Sequence, residues 1–315
     1  MDLYRISSGD LQEVEHNPFK LEKDIQTLVE QNLETLFKLQ FISTEFRISD
    51  FRIDTLGFDL ESNSFVIIEY KKGHSYSVID QGYSYLSLML ENKSDFILEY
   101  NENTDTPLKR DDVDWSQSKV IFMSQSFNTY QKNSVNFKDV PFELWEIKKF
   151  SNDLISLEQY KPSSKDSIES FSTSGSVISN VSSEIKVLNE EDHTSKSTPE
   201  SLELWDSLKE YFSNLEDTNF QVKKKYISIR KGTKTICYVT FLKRDLKIDI
   251  IRGTSYPDGT VSKKYFTIDD PKNVCIEREF SWKNGNKGGR YKMMLNSKTK
   301  LDYIQFLIKQ KYDSI

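Results

Sequence analysis

The sequence predicts an α/β domain, built on a mixed β-sheet flanked by helices, and a smaller C-terminal α+β domain. Helix-like and strand-like segments alternate through residues 1–160, as they do in α/β folds. Residues 161–200 are rich in serine and nearly free of aromatic side chains, which is typical of a flexible linker. The 315-residue length also favours two domains over one. We therefore expect domains at 1–160 and 201–315, joined by a linker.

The first domain begins with an amphipathic pattern. Apolar residues recur at helical spacing over residues 21–39, which predicts a helix. Two strand-like runs follow, and after a turn signal at 61–64 comes an apolar run that is typical of a buried strand. These three strands are predicted at 41–48, 51–60 and 65–72. The remaining elements predicted here are a helix at 77–92 and strands at 95–100, 119–127 and 142–150.

The segment after residue 200 has its own pattern of elements. It begins and ends with amphipathic helices, between which strand-like runs are found. The helices are predicted at 201–215 and 301–312, and the strands at 225–230, 235–242 and 246–252.

The charge of the chain is unevenly distributed. The net charge of −6 argues, taken alone, against a nucleic-acid partner. Residues 1–160, however, hold 16 Lys and Arg against 28 Asp and Glu, a net charge of −12. The linker carries −3, and residues 201–315 hold 23 basic against 14 acidic residues, a net charge of +9. The C-terminal domain therefore has the sign of charge that phosphates require.

Several classes of protein are excluded or disfavoured. No stretch approaches the ~18 consecutive apolar residues of a membrane-spanning helix, and the start lacks a signal-peptide core. We therefore expect a cytoplasmic protein. Two cysteines are too few for a disulfide scaffold or a four-cysteine zinc site, and no Walker or dinucleotide-binding fingerprint is found.

Asp54, Glu69 and Lys71 form the best candidate site. Residues i and i+2 of a strand point to the same face, so Glu69 and Lys71 emerge side by side at the end of their strand. Asp54 lies in the preceding strand, and a turn brings it alongside. Two such carboxylates suit Mg²⁺ or Mn²⁺. A metal-bound water of lowered pKa, oriented by an ammonium group, suits phosphodiester cleavage, and the lysine can also neutralise charge on the phosphate.

The acid-x-Lys triplet alone has little specificity, because it occurs six times in the chain. Only Glu69/Lys71 ends an unbroken apolar strand and follows an acid-bearing strand at a loop-sized distance. Glu146/Lys148 is the closest rival and lacks such a partner. A strand end with solvated charges remains the alternative.

Two predicted helices contribute further candidates. Glu22 falls about 40° from the centre of the apolar stripe of helix 21–39, and a carboxylate on the core side needs a partner or a metal. Alternatively, Glu22 is a first-turn acid that interacts with the helix dipole. Gln81, near the start of the next helix, can point back over the strand end.

These residues resemble the PD-(D/E)XK nuclease superfamily over roughly residues 1–150. The likeness is carried by Arg52-Ile53-Asp54, by FVIIEYKKG at 65–73 and by SVIDQGYSYL at 77–86. Within the superfamily it resembles the NucS-like endonucleases. Ile53 stands where the superfamily name has proline, a departure that the family commonly tolerates.

The resemblance implies a restriction-endonuclease-like fold and a Mg²⁺- or Mn²⁺-dependent active site. The metal ligands implied are Asp54 and Glu69, with Lys71 acting on the water. Gln81 and the helix-one acid complete the site; that acid is matched by Glu22, with Glu30 as its substitute.

The C-terminal domain resembles a small domain of unknown function that is often appended to such nucleases and sometimes labelled a predicted transport protein. Basic residues with interleaved aromatics suit phosphate contact and base stacking. A solvated face that complements the acidic half is the alternative. The predicted nucleic-acid-binding residues are Arg52, Lys223, Lys224, Lys225, Arg230, Lys287 and Arg290.

The sequence thus predicts a Mg²⁺-dependent endonuclease, with DNA as the expected substrate and a basic C-terminal domain that helps to hold it. A second hypothesis is a catalytically inactive nuclease fold that acts as a nucleic-acid-binding or regulatory module. A third is that the acidic and basic halves bind each other or a protein partner. No membrane partner is expected, and a homodimer is compatible with the sequence.

Overall fold

The structure of the protein is a computed structural model. It describes residues 2–71, 77–256, 260–262, 265–281 and 287–315. The chain forms two compact units, residues 1–187 and 188–315.

The first unit contains a small hairpin, a large sheet and helices on both faces of that sheet. Its helices and strands are β1 (Tyr4–Ser7), β2 (Asp10–Glu13), α1 (Glu22–Gln31), α2 (Leu33–Phe37), β3 (Gln40–Ile48), β4 (Phe51–Asp59), β5 (Ser64–Lys71), α3 (Val78–Glu91), α4 (Lys93–Asn103), β6 (Lys119–Ser124), α5 (Thr129–Ser134), β7 (Phe142–Lys149), β8 (Ile155–Tyr160) and α6 (Val177–Glu184).

The large sheet has the strand order β3-β4-β5-β6-β7-β8. Strands β5, β6 and β7 are parallel, whereas the outer pairs are antiparallel. Every residue of β5 before Lys71 is buried, because its side chains alternate between two cores. Val66 and Ile68 pack with α1, while Phe65 and Ile67 pack with α3 and α4. The predicted mixed sheet flanked by helices is confirmed.

Two predictions for this unit need correction, one of a strand and one of a helix. Residues 95–100, predicted as a strand, lie in α4, where Phe96 and Tyr100 are buried one turn apart and Leu98 is exposed. Periodicity over so short an apolar run does not distinguish a strand from a helix. The helix predicted at 21–39 is interrupted at Asn32, whose φ of −124° lies outside the helical range.

The serine-rich segment 161–200 differs from the predicted flexible linker. Ile168, Val181 and Ile185 are buried in the core of the first unit, and α6 packs against α3. The remainder of the segment belongs to the second unit. Ile178, Val181 and Ile185 share one helical face, so a few well-spaced apolar residues anchor a segment of polar composition.

The second unit is an antiparallel sheet with helices packed on its apolar face. Its elements are α7 (Glu190–Thr194), α8 (Pro199–Ser213), β9 (Thr218–Lys223), β10 (Tyr226–Lys231), β11 (Lys234–Phe241), β12 (Leu246–Ser255), β13 (Ile276–Ser281), β14 (Lys287–Leu295) and α9 (Leu301–Asp313). The strand order is β13-β14-β12-β11-β10-β9. Trp205 and Leu208 of α8 and Leu307 of α9 pack in its core, which confirms the predicted α+β class. Within the described residues, no helix is long and apolar enough to cross a membrane.

Candidate active site

The candidate site lies at the carboxyl end of the central strand β5, where β4 diverges from it. The ladder between the two strands pairs Thr55 with Ile68. Beyond that pair, Oδ2 of Asp54 accepts a hydrogen bond of 3.1 Å from the backbone N–H of Tyr70. The carboxylate of Asp54 thus takes the place of a backbone carbonyl and is fixed beside the end of β5.

Glu69 is the centre of the site. Its Oε1 accepts hydrogen bonds of 2.9 Å from both Lys71 Nζ and Gln81 Nε2. Its other oxygen, Oε2, is buried and has no hydrogen-bond partner among the described residues, which leave out 72–76 directly after the strand. Glu69 is only 6% exposed, so the strand end carries a buried carboxylate with one open oxygen.

The described residues of the site carry more negative than positive charge. Burial, together with the negative charge of Glu69, raises the pKa of Asp54 to about 6, against the lowering effects of the Tyr70 N–H and of Lys71. Among the described residues, two carboxylates therefore share one ammonium group. Such an arrangement attracts a cation, because a cation would offset both burial and like-charge repulsion.

A divalent cation such as Mg²⁺ fits these residues. Asp54 and Glu69 supply the hard oxygen donors that Mg²⁺ prefers, and Glu69 Oε2 is available to it. No group of three or more His, Cys, Asp or Glu side chains able to hold a metal occurs in the described part of the chain. A site with only two carboxylates suits Mg²⁺, because this ion keeps several of its waters when a protein binds it.

Tyr85 completes the site, although the sequence analysis missed it. It lies one turn after Gln81 in α3, and its hydroxyl is 3.1 Å from Gln81 Nε2 and donates to the Arg52 carbonyl at 3.2 Å. Burial, together with the charge of Glu69, raises the pKa of the Tyr85 phenol. The i, i+4 spacing of Gln81 and Tyr85 was the available signal, because such residues share a helix face.

A buried polar network supports the site from α1. Gln26 Nε2 donates to the Asp54 carbonyl at 2.8 Å and to Glu30 Oε1 at 2.9 Å. Thr55 Oγ1 donates to the same oxygen of Glu30 at 2.6 Å and lies 3.3 Å from the Tyr70 hydroxyl. This network therefore fixes the backbone on both strands that form the site.

The structure places the two helix-one acids differently. Glu22, predicted as part of the site, is exposed in the first turn of α1. No hydrogen bond or ion pair of the described residues joins Glu22 to Asp54 or Glu69, and its position corresponds to the helix-dipole alternative. Its substitute, Glu30, contacts the strands through Thr55. The predicted apolar stripe spanned the interruption at Asn32, so its centre does not describe the buried face of α1, which carries Ile25, Gln26 and Val29.

Arg52 is close in sequence to Asp54 but has an acidic partner. Its Nε lies 2.9 Å from Glu45 Oε2, and its side chain is 57% exposed. Arg52 therefore pairs with a carboxylate, while its guanidinium group stays accessible to solvent.

The basic residues predicted in the second unit occupy different environments. Lys224 and Lys225 are exposed at the turn between β9 and β10, and Lys223 is half-buried. Lys287 forms an exposed pair with Glu279 at 3.7 Å, and Arg290 lies 3.6 Å from Asp249.

Arg230 requires a correction, because it is not a surface residue. It is 7% exposed, and its Nε donates to Ser228 Oγ at 3.2 Å. The composition of a strand does not indicate which basic side chains the fold buries, so the surface role predicted for Arg230 does not agree with its position.

Comparison with known proteins gives one full-length relative. No family model matches the sequence. The chain is 42% identical over 314 residues to an uncharacterized protein of Haemophilus influenzae, and the match covers 98% of this chain and 99% of that protein.

Two solved structures show partial similarity. One is a repair endonuclease from Pyrococcus abyssi, with 19% identity over 37% of this chain and 43% of that chain and a TM-score of 0.25. The other is an EndoMS-dsDNA2 complex, with 17% identity over 44% of this chain and 54% of that chain and a TM-score of 0.27. In both cases the match spans less than two thirds of the other chain.

Proposed function

We propose that this chain, which belongs to the same family as the uncharacterized Haemophilus influenzae protein, is a metal-dependent endonuclease that hydrolyses phosphodiester bonds of DNA. The observation that carries the proposal is the arrangement of Asp54, Glu69 and Lys71 at the end of β5. The buried carboxylate of Glu69 and the half-buried carboxylate of Asp54 lie beside one ammonium group of the described residues, and Glu69 Oε2 has no hydrogen-bond partner among those residues. The choice of DNA rests on the resemblance of residues 1–150 to PD-(D/E)XK nucleases.

Asp54 and Glu69 are the residues that would hold Mg²⁺ or Mn²⁺. When bound, such an ion supplies Lewis acidity at the phosphoryl group and favours deprotonation of water. Asp54 is held for this role by the N–H of Tyr70, and Glu69 by Gln81. Both carboxylates are thus oriented before substrate arrives, which lowers the cost of assembling the site.

Lys71 acts on the substrate and on water. Its side chain is 11% exposed and its Nζ lies 2.9 Å from Glu69 Oε1. An ammonium group at this place orients a water by hydrogen bonding and stabilises the negative charge that develops on the phosphate. The two acids and the lysine therefore have complementary roles.

The basic second unit is proposed to help hold the nucleic acid. Its net charge of +9 over residues 201–315 supports this role. Lys224, Lys225 and Lys287 are exposed and suited to phosphate contact. Arg290, 41% exposed beside Asp249, and the half-buried Lys223 are the further proposed contacts.

The direct test is cleavage of single-stranded, duplex and branched DNA and of RNA, with Mg²⁺, with Mn²⁺ and with EDTA. We expect cleavage by the wild type in the presence of metal, and its loss in Asp54→Ala and Lys71→Ala. Lys148→Ala is the matched control, because Lys148 belongs to the other acid-x-Lys triplet of this sheet. Equal background activity in all variants would contradict the proposal, and salt-sensitive binding without cleavage would favour the inactive module instead.

A further inference from the structure

The hairpin formed by β3 and β4 places two arginines opposite each other. Arg47 and Arg52 are direct partners in the antiparallel ladder, five residues apart in sequence. Like charges in directly opposed positions repel each other. Arg52 precedes Asp54 by two residues of the same strand, which corresponds to ~7 Å between their Cα atoms. The pair therefore lies next to the candidate active site.

Arg47 and Arg52 have different charged neighbours. Glu45 accepts from Arg52 Nε at 2.9 Å and from Lys23 Nζ at 3.1 Å. Burial opposes ionisation of Glu45, but these two cations hold its pKa below the usual value. Arg47 is exposed, and no hydrogen bond or ion pair with it is found in the described ranges. Lys23 and Arg52 thus share a single carboxylate, and the guanidinium group of Arg47 is exposed to solvent.

The hairpin is held firmly against the active site. The Tyr85 hydroxyl, which contacts Gln81, donates to the Arg52 carbonyl at 3.2 Å. The ring of Phe51 lies edge-on to that of Tyr85, with 6.2 Å between their centroids. Contacts of this kind fix the arginines relative to Glu69, so little ordering is needed when a ligand binds.

The charges on the α4 side of the hairpin favour one direction of approach for a nucleic-acid strand. Arg47 lines a groove on the α4 side together with Asp95, Glu99 and Glu102. These acids disfavour a polyanion in that groove. A strand of nucleic acid is therefore guided along the other side of the hairpin, towards Asp54.

We propose that Arg47 and Arg52 form a phosphate clamp, which binds a backbone phosphate of the substrate next to the one that is cleaved. Planar guanidinium groups suit this ligand, because each presents paired N–H donors to phosphate oxygens. The inference rests on the proposed nuclease function and adds to it a binding site outside the group of Asp54, Glu69 and Lys71.

The test measures affinity for a fluorescent DNA oligonucleotide at several salt concentrations in EDTA, so that binding is separated from metal-dependent cleavage. We expect Arg47→Ala and Arg52→Ala each to weaken binding by roughly 3–10-fold and to reduce the slope of log K against log salt by ~0.7–0.9, the value for one phosphate contact. Arg110→Ala, an exposed arginine of the same unit, is the matched control and should leave the slope unchanged.

Thermal unfolding of the same variants shows whether a loss of DNA binding is caused by a loss of folding. We expect Arg47→Ala to retain or slightly raise the melting temperature, because it removes a like-charge pair. If the wild type binds and cleaves DNA while Arg47→Ala has the slope of Arg110→Ala, the clamp is refuted and the nuclease function stands. If the wild type neither binds nor cleaves nucleic acid, the proposed function fails, and the clamp fails with it.

Discussion

The carboxyl ends of β5 and β7 carry the same sequence pattern in different electrostatic surroundings. Glu69 and Lys71 end β5, and Glu146 and Lys148 lie near the end of β7. Both strands are parallel to β6, and Ser124 of β6 pairs in register with Lys71 on one side and with Glu146 on the other. The two acid-x-Lys triplets thus lie on one edge of one sheet.

Glu146 is fully matched by positive charge. It lies 2.8 Å from Lys132 and 3.6 Å from Lys148, and it accepts a hydrogen bond of 3.1 Å from the N–H of Phe127. Burial alone would raise its pKa, but these partners lower it below the usual value. This carboxylate already has the partners that stabilise its charge.

At the end of β5 the balance is reversed, because two carboxylates share Lys71 and the pKa of Asp54 is raised to about 6. Charge balance, rather than the triplet itself, therefore separates a candidate cation site from a structural ion pair.

The largest difference is expected between Glu69→Gln and Glu146→Gln. Glu69→Gln removes a proposed metal ligand and should lower kcat/KM for DNA cleavage by at least ~100-fold. Glu146→Gln should leave cleavage within roughly 3-fold and lower the free energy of unfolding by about 1 kcal/mol, after allowance for solvent screening. Steady-state kinetics and urea unfolding check both. Equal loss of activity in the two variants would show that the ends of β5 and β7 are equivalent.

The ends of β5 and β7 should also differ in whether ionisation of their carboxylates stabilises or destabilises the folded state. The pKa of Asp54 is raised by folding, so its ionisation destabilises the folded state as pH rises from about 4 to 6. Asp54→Asn should therefore increase the free energy of unfolding in EDTA by about 1–2 kcal/mol at pH 8, allowing for screening, and by much less at pH 4.

Glu146→Gln should show the opposite pH dependence. The pKa of Glu146 is lowered in the folded state. The ionised carboxylate therefore stabilises the folded state at neutral pH, and this stabilisation is lost as pH falls through the lowered pKa. Urea unfolding at pH 4 and pH 8 measures both variants. A destabilising effect of Asp54→Asn at pH 8 would contradict the charge imbalance inferred at β5.

Local patterns in the sequence predict which residues meet at the end of β5. Strand alternation places Glu69 and Lys71 together, and the short hairpin returns Asp54 to the same strand end. The turn of α3 adds Gln81. Each of these relations spans few residues and therefore appears in the sequence pattern.

The features of the fold and of the site that the sequence did not predict depend on contacts between distant segments. Gln26 reaches the carbonyl of Asp54, 28 residues away, and a glutamine within an amphipathic pattern does not reveal that it will be buried. Residues 95–100 form a helix because α4 packs its Phe96 and Tyr100 on the core, although the run is typical of a strand. In the second unit, the burial of Arg230 follows from packing that composition does not encode.

Two buried glutamines give a smaller contrast. Gln26 positions the backbone of Asp54, whereas Gln131, 1% exposed in α5, accepts from the N–H of Asn128. Gln26→Leu should lower kcat by roughly 10-fold, the scale expected for loss of a group that supports a metal ligand. It should also increase the Mg²⁺ concentration needed for half-maximal activity. Gln131→Leu should alter only stability. A similar shift in Mg²⁺ dependence for both variants would contradict a positioning role for Gln26.

The smallest effect is expected for Tyr85→Phe. Its hydroxyl bridges Gln81 and the Arg52 carbonyl, but Gln81 keeps its direct hydrogen bond to Glu69 when that hydroxyl is absent. We therefore expect kcat to fall by only about 3-fold and the free energy of unfolding to fall by about 1 kcal/mol. Tyr160→Phe is the control on the β7 side, where the ring faces Lys132. We expect Tyr85 to act through Gln81, so Gln81→Ala and the double variant should have nearly equal kcat, whereas additive losses would show that Tyr85 acts independently of Gln81.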